Sequence, residues 1–236
     1  MATGKGQLVL GIAMLISFTV VLVLIFSPIF PGGDNGLDFS DRMFNRLSKG
    51  SSYFIPKLMD QIEEFKGKMV DVSVEMKKPE DTEVAAQLFA TAGAVAEAQG
   101  TELNVSGDLG KTLEAVLNDS DAMYHNEGEK VTERYGIEAK KVMENWWQAL
   151  NLIDKKFKKT KMIPEANLVS NVKKKAVETS YNFYGILPEK VSEKFGIMTG
   201  LLVFYVVYTL WYGFAIFYIF HGLGLTMTKA KVKKEV

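Results

Sequence analysis

Two long apolar runs bracket a middle region in which hydrophobic and polar positions repeat with the periods of helices and strands. The first run, Leu8 to Phe30, reads LVLGIAMLISFTVVLVLIFSPIF. Its about 23 uncharged residues make a helix of roughly 35 Å, enough to cross a hydrocarbon core of about 30 Å. The second, Phe195 to Thr228, contains no Asp, Glu, Lys or Arg. About 34 residues reach near 51 Å as one helix, so this run must tilt strongly or continue beyond the bilayer. Both predict transmembrane helices.

Between the runs the period changes several times. PGGDNG, Pro31 to Gly36, is a turn-forming linker. Asp38 or Ser40 is placed to cap a helix carrying Phe39, Met43, Phe44 and Leu47, ended by Gly50, and Pro56 opens another carrying Leu58, Met59, Ile62 and Phe65. Val70, Val72, Val74 and Met76 alternate with Asp71, Ser73, Glu75 and Lys77, which predicts a strand. A helix then carries Val84, Leu88, Phe89, Ala92, Val95 and Ala96 up to Gly100, followed by a short strand over Glu102–Val105. This order suits a βαβ unit, with antiparallel pairing left open, and a two-stranded sheet needs helices to cover it. A helix from Asp108 carries Leu109, Leu113, Val116 and Leu117. Ala139, Met143, Trp146, Leu150, Ile153 and Phe157 then form one apolar seam, and Pro164 opens a helix with Val169, Val172, Ala176 and Phe183. These two helices predict an antiparallel hairpin. The expected fold class is a membrane protein with two transmembrane α-helices and a mainly α domain containing a small two-stranded βαβ-like element.

Charge turns this pattern into a topology. The formal net charge is zero, with 28 basic and 28 acidic residues, but the central part holds 23 of the basic and 27 of the acidic groups. Lys5, Lys229, Lys231, Lys233 and Lys234 lie at the tips. The positive-inside rule places both tips in the cytoplasm and exports the middle. The expected division is a cytoplasmic tip at 1–7, a first span at 8–30, an exported domain at 31–194, a second span at 195–228 and a basic cytoplasmic tail at 229–236. The first run is longer than the core of a cleaved signal and has no A-x-A-like site before Pro28, so it reads as a signal anchor. With no cysteine in the chain, disulfides, covalent c-type haem and thiolate-held metals are excluded. A domain exported without disulfide staples suits a bacterial inner membrane facing the periplasm.

Candidate chemistry changes the picture little. Gly107-Asp108-Leu109-Gly110-Lys111-Thr112 resembles the end of a phosphate-binding loop, but Val105 stands where the first glycine belongs. The plain alternative is a turn capped by Ser106 or Asp108, and no nucleotide is expected. His125 and His221 are too few and too far apart for a two-histidine site; His125, with Asp119, Asp121, Glu127 and Glu129 near it, leaves a mixed metal site open, although a solvated helix end accounts for it as well. No nucleophile–base constellation and no cofactor motif is present, and a net-acidic exported domain does not suit nucleic acid. The lysines at 155, 156, 158, 159, 161 and 173–175 read as the solvated side of amphipathic helices. Trp146 belongs to the seam, whereas Trp147 falls at its flank, as core or as an anchor for a partner.

The second run is richer. Phe204, Tyr208, Trp211, Ala215 and Tyr218 recur at steps of four and three, with Tyr205, Thr209 and Tyr212 beside them. Gly196 with Gly200, and Thr209 with Gly213, form small-residue pairs; Ala13 and Ser17 offer another in the first run. Aromatic hydroxyls in mid-span and small residues together predict helix association. The sequence therefore suggests a non-enzymatic accessory or scaffolding subunit of a membrane complex, with the bilayer and other subunits, or copies of itself, as partners. The alternatives are a homo-oligomeric transport or conduction protein, a layout shared by polysaccharide chain-length regulators although none of their motifs occurs here, and a metal- or ligand-binding envelope enzyme.

Overall fold

The structure, a computed structural model, describes residues 4–225. The tail at 229–236 and the last residues of the second apolar run, 226–228, lie outside the described residues. The chain is mostly helical, with a small antiparallel sheet. It divides into two compact units: the described residues up to Phe44 together with those from Glu189 onward, and Asn45–Pro188.

In the first unit, α1 (Gly4–Phe26) and α10 (Val191–Gly222) are both long and apolar enough to cross a membrane. They pack against each other, and their closest approach is set by residues without side chains. A Cβ on Gly11 meets Ile219 N at 2.7 Å and Ala215 O at 2.9 Å; one on Gly222 meets Leu8 N at 2.6 Å. The turn Pro31–Gly33 follows α1, with Gly32 at φ +91° and Gly33 at φ +79°, values that glycine adopts without strain. α2 (Gly36–Ser51) is capped by Asn35, whose Oδ1 accepts from the amides of Leu37 and Asp38, both at 2.9 Å. The cap expected at Asp38 or Ser40 is thus one turn too late, and Gly50 lies within the helix instead of ending it.

The Asn45–Pro188 unit contains α3 (Ile55–Ile62), β1 (Met69–Glu75), α4 (Pro79–Thr91), β2 (Val95–Gln99), β3 (Glu102–Asp108), α5 (Leu109–Tyr124), α6 (Gly128–Tyr135), α7 (Ala139–Lys159), α8 (Ile163–Val172) and α9 (Glu178–Phe183). A π-helical turn, Lys173–Val177, joins α8 to α9. The sheet corrects the sequence reading. It has three strands in the order β1-β3-β2, both outer strands antiparallel to β3. The helix expected to reach Ala96 ends at Thr91, and Gly93 at φ +84° turns the chain into β2. Two alanines in Val95–Gln99 carry little strand propensity, so pairing with β3 decides this segment's structure. β1 and β2 are therefore parallel to each other, with β3 inserted between them.

One sheet face packs into the core through Val72, Val74, Leu103 and Val105. The other leaves Asp71, Glu75, Glu97 and Glu102 exposed. The expected seam is in place: Met143, Trp146, Leu150, Ile153 and Phe157 of α7 are buried, Trp146 edge-on to Phe89 with ring centroids 5.0 Å apart. Burying each large apolar side chain contributes roughly 1.5–3 kcal/mol. α8 returns against α7 as the second arm of the expected hairpin.

Candidate functional site

The sequence-predicted residues of α10 separate into two sets. Tyr208 stacks on Phe18 of α1 with ring centroids 4.1 Å apart, and Tyr212 is tilted against the same ring at 5.1 Å. Ala215 is buried beside Gly11 of α1, and Trp211 and Tyr218 are partly buried. Phe204 stacks on Tyr208 at 5.3 Å but stays largely exposed. Gly196, Gly200 and Gly213 form the second set: a Cβ on any of them meets nothing within 4 Å. Two hollows open beside them. One of about 530 Å³ is lined by Phe195, Thr199, Leu202 and Tyr205 of α10 with Ser40 and Phe44 of α2; one of about 370 Å³ is lined by Thr209, Leu210, Gly213, Phe214 and Phe217. Thr209 satisfies its hydroxyl within its own helix, donating to Tyr205 O at 2.7 Å. On α1 the small-residue contact is made at Gly11, not at the predicted Ala13 and Ser17: Ala13 is exposed and Ser17 donates to Met14 O of its own helix.

His221 stacks on Phe217 with centroids 5.9 Å apart, near the end of α10. His125, at the end of α5, is exposed; its Nδ1 lies 2.9 Å from Asp121 O and 3.3 Å from Asp121 Oδ1. Tyr53 donates to the same carboxylate at 2.6 Å, and burial followed by that bond pushes its phenol up to about 12. Among the described residues no group of three or more His, Asp or Glu is placed to hold a metal. Asp119, one of the acids expected near His125, instead points into the core. It accepts from Tyr135 Oη at 2.7 Å, Trp146 Nε1 at 2.9 Å and the Arg134 guanidinium.

The phosphate-loop look-alike is filled by protein. Asp108 caps α5, accepting from Lys111 N at 3.1 Å and from Gly67 N at 2.8 Å. Burial raises its carboxyl, but those two amides, with the Lys111 charge and the Gly110 amide, outweigh it and hold the group below its ordinary value. A Cβ on Gly110 meets Lys66 N at 2.6 Å, so the glycine serves close backbone packing and leaves no cradle for phosphate.

Trp147 sits on the wall of a half-open cavity of about 270 Å³ between α7 and the π-helical turn with α9. Its indole packs on the core and its Nε1 donates to Glu178 Oε1 at 3.1 Å. Met143, Glu144, Val177, Tyr181 and Asn182 complete the lining. The sequence signal for this site was a repeated spacing. Met143-Glu144-Trp147 and Val177-Glu178-Tyr181 each place an apolar residue, an acid and an aromatic at i, i+1 and i+4.

Lys49 was unreadable in the sequence. It is fully buried, and its ammonium donates to Asn126 Oδ1 at 3.0 Å, Phe183 O at 3.0 Å and Ile186 O at 2.7 Å, with no carboxylate among these partners. Burial lowers its pKa. Asn126, at φ +64°, also accepts from Gly185 N at 2.7 Å, so one polar cage ties the first and last segments of the Asn45–Pro188 unit together.

No protein-family description, curated protein or solved structure matches this chain. Its functional reading therefore rests on the geometry of the two units.

Proposed function

We propose that the chain is a non-enzymatic accessory subunit of a membrane protein complex, anchored by α1 and α10 with both termini cytoplasmic and residues 31–194 exported. The observation that carries this reading is the division of α10 into two faces. One is used by α1; the other presents Gly213 with nothing within 4 Å, beside Thr209 and the exposed Phe214 and Phe217 that line the same hollow. Lipid tails offer no directional contact to glycine, whereas a second helix gains close backbone packing at such positions. The occupant proposed is a transmembrane helix of a different subunit, lying over Thr209, Gly213 and Phe217. The exposed acids on the open sheet face suit a binding role.

Purification in mild non-ionic detergent followed by native mass measurement tests this. The expected result is a defined complex containing this chain and a foreign membrane subunit, lost on Gly213→Leu while the α1–α10 pair survives. A uniform multiple of this chain supports self-association instead. A lone monomer from native membranes contradicts both.

A further inference from the structure

The cavity beside Trp147 has the composition of a site for an organic cation. Its floor is apolar, made by the fully buried Met143 and Val177. Its sides are two aromatics, Trp147 and Tyr181, and its rim holds two carboxylates, Glu144 and Glu178. Each acid spends one oxygen locally: Glu178 accepts from Trp147 Nε1 at 3.1 Å and Glu144 from Gln148 Nε2 at 3.3 Å. Neither forms an ion pair with a lysine or arginine among the described residues, although lysines are abundant on α7 and in the π-helical turn. Lys173, whose ammonium lies 6.0 Å from the Trp147 ring centroid, is turned inwards to Asn151 Oδ1 at 2.9 Å and Asp154 Oδ2 at 3.5 Å.

The backbone supports the same conclusion. The wall carrying Val177, Glu178 and Tyr181 begins in a π-helical turn, a costly irregularity that recurs at functional sites. The extra residue in that turn resets the helix register just before Glu178, so both acid–aromatic pairs open on one cavity. Carboxylates at the rim attract a cation, aromatic faces bind its charged head, and an apolar floor takes its methylenes.

We propose that this cavity binds an alkylguanidinium or alkylammonium group, its charged end between Glu144 and Glu178 and its stem over Met143 and Val177. The group comes either from a free small cation or from a basic side chain on a polypeptide, and one experiment separates the two. Isothermal titration of the full chain in non-ionic detergent uses agmatine, capped arginine (N-acetylarginine N-methylamide) and butylurea, an uncharged control that keeps the four-carbon stem but lacks both of agmatine's charges. Saturable uptake of agmatine, with butylurea at least tenfold weaker, is expected. Capped arginine binding as well as agmatine assigns a polypeptide source, and agmatine alone assigns a free cation. Glu144→Gln with Glu178→Gln weakens uptake at least tenfold. Should the double variant lower the thermal midpoint, the single Glu144→Gln, at an exposed position bonded only to Gln148, weakens it several-fold in a chain that melts as the parent does. The proposal is overturned if agmatine shows no saturation, if butylurea binds equally well, or if the folded acid-to-amide variants bind as tightly as the parent.

Discussion

In the α1–α10 pair the tightest contacts run backbone to backbone at Gly11 and Gly222, with one stacked pair of rings and no ion pair between the two helices. In the Asn45–Pro188 unit the tightest contacts converge on buried charges. Asp119 takes three donors, Lys49 gives to three acceptors, and Lys173 reaches Asn151 and Asp154. Under the proposed membrane anchoring, the contrast follows from the surroundings of each unit. A helix pair in hydrocarbon has no hydrophobic drive between its members and gains from close approach, whereas a unit in water collapses on apolar area and must then satisfy every polar group it encloses. The first unit should therefore fail through added bulk and the second through removed polarity.

The largest effect is expected from Asp119→Ala. It strands two buried donors, Trp146 Nε1 and the Tyr135 hydroxyl, and removes the partner of the part-exposed Arg134. Leaving a buried donor unsatisfied costs about 1–3 kcal/mol for each group. Denaturant unfolding of the solubilised chain, followed by tryptophan fluorescence, measures it, and a loss below about 1 kcal/mol removes Asp119 as the organising contact.

Next comes a pair of glycine substitutions that separates the two faces of α10. Gly11→Leu forces side chain into the backbone of Ala215 and Ile219, an overpacking typically worth 1–3 kcal/mol. Gly213→Leu meets nothing within 4 Å and leaves the helix pair intact. The chain has no native cysteine, so Phe18→Cys with Tyr212→Cys, bridged by a short bismaleimide, reports the pairing cleanly. Bridging falls sharply with Gly11→Leu and is unchanged with Gly213→Leu; equal losses erase the distinction between the faces.

The smallest effect is alkaline. Burial and the bond to Asp121 raise Tyr53 from 10.0 to about 12, and burial and the Asp119 charge raise Tyr135 as well. Above pH 10 the unfolded chain releases these protons while the folded one keeps them, so stability falls as pH rises from 10 towards 12. Lys49 opposes this below 10.5, because its lowered pKa makes the unfolded state the one that binds more protons there. Thermal midpoints measured from pH 9 to 12 therefore drop mainly above 10.5, and Tyr53→Phe makes that drop shallower.

Much of the helical framework was legible because its signals are local and periodic. The α7 seam, the hairpin with α8 and the two apolar helices all follow from spacing within one segment. The missing strand did not, since Val95–Gln99 is stabilised by partners across the sheet, and its alanines also fit a helix. At the candidate sites, the aromatic seam of α10 was readable as a face, yet which residues α1 covers depended on Gly11, whose role appears only when a second helix approaches it. The cage around Lys49 brings together residues 77 to 137 positions apart in the chain, a relation no local pattern carries. The cavity beside Trp147 lies between these cases. Its acid–aromatic spacing repeats in the sequence, but its convergence requires the π-helical turn.

The most direct test is photo-crosslinking in native membranes from a benzoylphenylalanine placed at position 213, with one replacing Phe18, whose ring already stacks on Tyr208, as the internal control. Position 213 is expected to yield a discrete adduct with one foreign membrane protein, while position 18 yields only crosslinks within the chain. Lipid adducts alone at position 213, in membranes where position 18 still reports an intact helix pair, would contradict it.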